Sequence, residues 1–274
     1  MSSSKIRVAV SGAAGRMGRE VVRAIDGAAD LTLVAAIDQA LAGSDSGSLA
    51  GLAGNGVLVE SGLEEALART KPEVLVDFTL PDGLMANIRC ALGLGVYPVV
   101  GTTGLSSDDL ARLERLTNDL GLTVFIAPNF AIGAVLMMQF AERAAAYMPD
   151  VEIIELHHDR KLDSPSGTAM LTAQRIGAAR AALGVFPAPI PEGLVEKAPG
   201  ARGARNASTG DVPIHSVRLQ GFVAHQEVIF GGPGQILTLR HDSIDRRSFM
   251  PGVLLAIRKV QTLNGVVVGL EKLL

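Results

Sequence analysis

Apolar and polar positions along the first half of the chain fall into a repeating pattern. Short, nearly continuous apolar runs occur at KIRVAVSG (5–12), LTLVAAID (31–38), EVLVDFT (73–79), YPVVGTT (97–103) and LTVFIAPN (122–129). Such runs predict strands buried on both faces of a parallel sheet. Helical spacings lie between them, as in SSDDLARLERLTNDLG (106–121), where Leu110, Leu113 and Leu116 share a face behind acids in the first turn. Alternating strands and helices predict a doubly wound α/β domain over residues 5 to about 130.

Past Asn129 the pattern changes. AIGAVLMMQFAERAAAYM predicts a longer helix, VEIIELHH a strand and SGTAMLTAQRIGAARAAL another helix. Residues 184–212, rich in Pro, Gly, Ala and charge, predict a loop. Three strand-like runs follow, IHSVRLQG, AHQEVIF and QILTLRHD, the last two joined by the tight-turn signal GGPG. Segregated helix and strand predict a separate α+β domain. The stretch from about Arg247 to Leu263 is helical again and suited to packing on the first domain. The expected division is 1–130, 131–240 and 241–274, with no internal repeat.

The bulk numbers narrow the function. The 274 residues are 48% apolar, enough for two domains with sizeable cores. No apolar run approaches the ~18 residues of a membrane span, and MSSSKIRVAV leads into a strand without a signal-peptide core. The expectation is a soluble, cytoplasmic protein that does not engage a membrane. Cys90 is the sole cysteine, so neither an internal disulfide nor a CxxC site is expected. A net charge of −3, no Trp and 4% aromatics argue against nucleic-acid binding.

VAVSGAAGRMGRE carries Gly12, Gly15 and Gly18 in GxxGxxG spacing, directly after one strand and opening a helix. Glycines there let the backbone approach a pyrophosphate seated on a helix N-terminus. Asp38 ends the next strand 20 residues beyond Gly18, where a carboxylate can bond a ribose 2′-hydroxyl. The alternative, a glycine-rich turn in another α/β protein, lacks this context. Asp38 would repel a 2′-phosphate and so favours NADH; Arg16 could pair with that phosphate, which keeps NADPH open. GTTG (101–104) and APNF (127–130) fall at carboxyl ends of strands, where ligands bind in open α/β sheets. By itself GTTG reads as an ordinary turn.

The stretch ELHHDRKLDSPSGTA (155–169) places two of five histidines side by side. On a strand, Val151, Ile153, Glu155 and His157 share one face, and Glu152, Ile154, Leu156 and His158 the other. Adjacent histidines thus point apart, and no nearby Cys or third His completes a metal set. Taken singly, a histidine here is slightly better explained as a hydrogen-bonded core residue, and Lys161 as a solvated surface charge. The SPSGTA turn shifts the balance. Gly167 and Thr168 open a helix whose N–H groups can hold a carboxylate. Imidazole, ammonium and an anion cradle together suit a carboxylate substrate that receives a proton.

GAAGRMG, VGTTG, APNFAIG, ELHHDRKLDSPSGTA and FGGPGQ, in order along nearly the whole chain, closely resemble the 4-hydroxy-tetrahydrodipicolinate reductase (dihydrodipicolinate reductase) family. The resemblance implies a Rossmann-type dinucleotide domain rejoined by the C-terminal helix, a central substrate and oligomerisation domain, and a homotetramer with strands pairing between subunits. It implies NADH- or NADPH-dependent reduction of a small dicarboxylate in the diaminopimelate route to lysine, without a metal. Carried onto this chain, the catalytic residues are His157 and Lys161, and the substrate contacts His158, Gly167 and Thr168. The cofactor contacts are Gly12, Ala13, Ala14, Gly15, Arg16, Met17, Asp38, Gly101, Thr102, Thr103, Ala127, Pro128, Asn129 and Phe130. The chain departs from the pattern twice. Asp38-Gln39 stands where many relatives have an acid–Arg pair, which weakens the expectation that both cofactors serve. Asp159 replaces a residue that is often basic. Two competitors remain: another two-domain nicotinamide reductase and a non-catalytic NAD-sensing module. A semialdehyde dehydrogenase would need a cysteine nucleophile, and Cys90 sits in a helical stretch, PDGLMANIRCALGLG.

Overall fold

The computed structural model describes residues 4–187, 208–209 and 212–274. The loop expected at 184–212 lies largely outside them. The chain divides into two compact units, Met1–Ile132 with Arg246–Leu274, and Gly133–Asp245.

The first unit alternates strands and helices: β1 (Ile6–Ser11), α1 (Arg16–Asp26), β2 (Leu31–Ile37), α2 (Ser46–Leu49), β3 (Val59–Glu60), α3 (Leu63–Thr70), β4 (Val74–Asp77), α4 (Pro81–Gly93), β5 (Tyr97–Val100), α5 (Ser107–Leu120) and β6 (Thr123–Ile126). The five predicted strands are all present. Two more were not foreseen. β3 has two residues, too few to show a period, and the last strand of the sheet is contributed by Gly265–Val268 from the far end of the chain. The parallel sheet runs in the order C-terminal strand, β6, β5, β4, β1, β2, β3. Strands β1, β4 and β5 sit centrally, and Val8, Val10, Leu75, Val76 and Val99 have no exposure. That burial on both faces accounts for their unbroken apolar runs. Helix α4 presents Leu84, Ile88 and Leu92 to Leu113 of α5 and Val124 of β6. A reciprocal Ser106–Asp109 capping box starts α5.

The second unit opens with α6 (Ile132–Ala144), which shares its first residue with the first unit, then β7 (Asp150–His157), α7 (Gly167–Leu183), β8 (Ser208–Thr209), β9 (Val212–Arg218), β10 (Ala224–Gly232) and β11 (Gln235–Ser243). Its sheet runs β11-β10-β7-β9-β8. The predicted hairpin is β10–β11, with Gly232 opposite Gln235. Strand β7 is central, antiparallel to β10 and parallel to β9. No helix among the described residues is long and apolar enough to cross a membrane.

Chain continuity through α8 (Met250–Lys259) and β12 (Gly265–Val268) completes the first unit. β12 pairs in parallel with β6, and the Thr123 hydroxyl donates to the Leu263 carbonyl at the entrance of β12. Gly252 of α8 lies against the Phe130 backbone, where an added Cβ would overlap the Phe130 carbonyl and come within 2.9 Å of Leu270. A helical Gly→Ala exchange ordinarily stabilises by roughly 0.5–1 kcal/mol. Here the sign should reverse: Gly252→Ala is expected to destabilise by about 1–3 kcal/mol through overpacking, read as a lowered midpoint in urea.

Candidate active site

Local geometry at the end of β1 fits a pyrophosphate. Gly12 has φ +79°, and a Cβ there would stand 2.5 Å from the Phe78 carbonyl. Gly15 caps α1 without a side chain, and helix geometry leaves the first N–H groups of α1, at Arg16 and Met17, without intrahelical acceptors. An anion fits that end. The preceding N–H groups are occupied. Gly12 and Ala13 donate to the Ile37 carbonyl at 2.8 and 3.0 Å, and Ala14 donates to Asp38 Oδ2 at 2.9 Å. The Ala40 N–H donates to Asp38 Oδ1 at 2.9 Å, so the Asp38 carboxylate is fixed beside the glycine loop. Gln39 turns its amide to the Ser61 carbonyl at 2.9 Å. Arg16 is exposed.

The other expected cofactor residues divide by burial. Ala13, Ala127 and Phe130 are at most 2% exposed, and the Phe130 ring packs on Phe78 and Phe125 at centroid distances of 5.9 and 6.1 Å. Their side chains belong to the core, which leaves backbone as the part able to meet a ligand. Asn129 accepts from the Ala131 N–H at 2.8 Å, shaping the turn after β6. Thr102 is buried and Thr103 exposed.

The second unit assembles the histidine end. Glu155 has no exposure. Arg218, opposite His157 in the parallel β7–β9 register, donates from Nη1 to Glu155 Oε2 at 2.9 Å and from Nη2 to Oε1 at 2.7 Å. His157 Nδ1 lies 2.5 Å from Oε2, and the Ser166 N–H donates to Oε1 at 3.2 Å. Burial opposes ionisation of Glu155, but bonds from His157, Arg218 and Ser216 outweigh it and hold its pKa at about 2. An ionised carboxylate only accepts, so Nδ1 carries the imidazole hydrogen and Nε2 is the nitrogen left for chemistry.

Ser166 also caps α7, accepting from the Ala169 N–H at 3.2 Å. The same residue therefore joins Glu155 to the helix start where Gly167 is exposed and Thr168 half-buried. Lys161 Nζ donates to both Asp163 oxygens, at 2.7 and 2.8 Å. That pair is partly open, with Asp163 61% exposed. Arg218 Nη2 also reaches the Asp163 carbonyl at 2.7 Å, fastening the 158–166 loop. His158 is half-buried and makes no side-chain hydrogen bond among the described residues.

Sequence reasoning placed Glu155 on the His157 face without giving it a role; the signal was its position two residues earlier on that strand. Arg218 lies 63 residues from Glu155 and had no local signal. Cys90, half-buried in α4, has its thiol pKa pushed up, by burial first and then by Glu64 and Glu65, the reverse of what a nucleophile requires. Among the described residues no group of three or more His, Cys, Asp or Glu could hold a metal ion.

The comparisons with known proteins agree across the chain. The family model described as "Dihydrodipicolinate reductase, N-terminus" matches residues 6–130 and "Dihydrodipicolinate reductase, C-terminus" residues 133–274. A protein of Moorella thermoacetica named 4-hydroxy-tetrahydrodipicolinate reductase is 51% identical over 269 residues, 98% of each chain. One of the same name from Desulfitobacterium hafniense is 49% identical over 271 residues, 98% of this chain and 99% of that one. Among solved structures, a dipicolinate-bound dihydrodipicolinate reductase from Paenisporosarcina sp. TG-14 aligns with TM-score 0.85 and 44% identity, covering 98% of this chain and all of the other. An amine dehydrogenase of Mycobacterium smegmatis, 16% identical with TM-score 0.68, shares the fold.

The Glu155 cluster generates a pH dependence. The folded pKa, about 2, lies below the ordinary value of 4.5. The stability this group confers is complete above 4.5 and lost as pH falls from there towards 2. Glu155→Gln should therefore flatten the acid limb of thermal melts over that window. Arg218→Ala, which leaves the carboxylate buried without its cation, should lose roughly 3–5 kcal/mol at neutral pH. A wild-type-like acid limb for Glu155→Gln would contradict this.

Proposed function

The chain belongs to the dihydrodipicolinate reductase family, and from that premise we propose that it reduces 4-hydroxy-tetrahydrodipicolinate to tetrahydrodipicolinate in the diaminopimelate route to lysine, with a nicotinamide dinucleotide as reductant. The observation that carries the reading is the buried carboxylate of Glu155, which bonds both the His157 imidazole and the Ser166 N–H at the start of α7. A proton source and an anion cradle, both expected from the one stretch 155–169, thereby share one support. When bound, the reduced dinucleotide supplies a hydride.

The residues divide the remaining work. Gly167 and Thr168 at the N-terminus of α7, with His158, hold the carboxylates of the substrate, where the helix dipole favours negative charge. The 4-hydroxyl leaves as water, which makes the ring conjugated; hydride addition then leaves negative charge on that ring, and a proton must quench it. His157, protonated on both ring nitrogens, donates that proton from Nε2 and is left neutral with its hydrogen on Nδ1, where Glu155 holds it. Lys161 reaches the same substrate by leaving Asp163. Exposed ion pairs are worth about 0–1 kcal/mol, so a substrate carboxylate can displace Asp163 at small cost. From there Lys161 either donates the proton in place of His157 or holds the neighbouring carboxylate.

The same reading assigns NADH as the preferred reductant and a homotetramer as the assembly. Asp38 is fixed where a 2′-phosphate would meet its charge, and Gln39 brings no cation. For the assembly, β11 lies at an edge of its sheet and exposes Ile236 at 75% and Leu237 at 37%, the kind of apolar edge that pairing between copies would cover.

Two measurements test the reading. NADH should match or exceed NADPH in kcat/KM, and Asp38→Ala should lose mainly NADH affinity, by about 1.5–3 kcal/mol. A marked wild-type preference for NADPH would refute the role of Asp38. His157→Gln and Lys161→Ala should each lower kcat by ~10²–10⁴ with dinucleotide titrations unchanged, and if the two act as one unit the double variant should be little worse than the poorer single one. Near-wild-type turnover of both single variants would dismiss them as the proton source.

A further inference from the structure

A second buried carboxylate stands at the carboxyl end of the parallel sheet, and the reductase reading gives it no role. Asp77, the last residue of β4, is 1% exposed. Its Oδ1 accepts from the Thr79 N–H at 3.0 Å, the Thr79 hydroxyl at 2.7 Å and the Thr102 hydroxyl at 3.1 Å. Its Oδ2 accepts from the Asn87 amide at 2.9 Å. Thr79 lies in the β4–α4 connection, Asn87 about two turns into α4, and Thr102 in the GTTG loop after β5. One side chain thus meets three segments: the β4–α4 connection, α4 and the loop after β5. The ladder itself ends beside it, with Asp77 opposite Val100 and the Gly101 N–H donating to the Asp77 carbonyl at 2.9 Å.

The Thr102 hydroxyl has a single hydrogen. Its oxygen stands 3.1 Å from Asp77 Oδ1 and 3.2 Å from the Thr79 carbonyl. Both are acceptors, so the hydrogen points inward whichever it serves. Thr103, the next residue, is exposed. We infer that Asp77 is a positioning residue for the dinucleotide: through Thr102 it fixes the Gly101–Gly104 loop, and the Thr102 hydroxyl serves this clamp while Thr103 and the loop backbone meet the ligand. This rests on the dinucleotide reading above. It also separates Thr102 from Thr103, which the sequence treated as equivalent contacts. A carboxylate suits the position because its two oxygens lie within hydrogen-bond distance of donors on Thr79, Thr102 and Asn87, and charge-assisted hydrogen bonds are about twice as strong as neutral ones.

The test compares Thr102→Val, Thr102→Ser and Asn87→Leu in the full chain, since Asp77→Ala could abolish folding. Dissociation constants for NADH, read by nicotinamide fluorescence without substrate, are set beside kcat, both KM values and melting temperature. Thr102→Val and Asn87→Leu should weaken NADH binding by about tenfold, the loss of one hydrogen bond to a charged group. Dinucleotide KM should rise with it, while kcat and the KM for substrate change little. Thr102→Ser, which restores the hydroxyl, should restore the affinity. Unchanged NADH affinity in Thr102→Val with a lowered melting temperature would overturn the inference and make the network purely structural. A serine variant as weak as the valine variant would overturn it as well, by pointing to the methyl group. Those results would leave the reductase reading standing, whereas a wild-type chain that binds neither NADH nor NADPH would bring down both.

Discussion

The second unit depends on a carboxylate with nowhere to go. Glu155 lies on the central strand of its sheet with no exposure, where an isolated charge would cost several kcal/mol. It is tolerated because donors converge on it from β7, β9 and the start of α7. The same bonds that satisfy the charge also set the site. They choose the tautomer of His157, anchor the first turn of α7, and, through Arg218, fasten the loop that carries Lys161.

The first unit repeats the device with a different result. Asp77 is buried at a strand end and surrounded by hydroxyl and amide donors without a cation. Asp38, by contrast, takes only two backbone N–H groups. A carboxylate oxygen can accept about two bonds, so Asp38 keeps capacity for a ligand hydroxyl. In both units a buried carboxylate holds a loop that adjoins a helix start.

Much of this was legible along the chain. The five apolar runs of the first half became the central strands of the parallel sheet because a strand buried on both faces has no polar alternation to disguise it. Gly12 with Asp38, and His157 with Ser166, Gly167 and Thr168, lie close enough in sequence for turn geometry and strand periodicity to place them. The two-residue β3 and the C-terminal β12 were not legible, the first for want of a period and the second because its partner, β6, lies some 140 positions earlier.

Sequence by itself determined the five inner strands of the parallel sheet, the glycine turn, the acid at the end of β2 and the histidine–lysine–serine–glycine–threonine order. All of these are local patterns, fixed by backbone sterics and side-chain alternation. Tertiary structure decided which groups those residues answer to. Arg218 meets Glu155 only because β9 runs parallel beside β7, Thr102 meets Asp77 only because β5 lies beside β4, and Phe130 turns into the core because Phe78 and Phe125 are there to receive it. A buried charge is satisfied by whatever donor the fold brings within about 3 Å, and that distance is a property of packed strands that no spacing along the chain encodes.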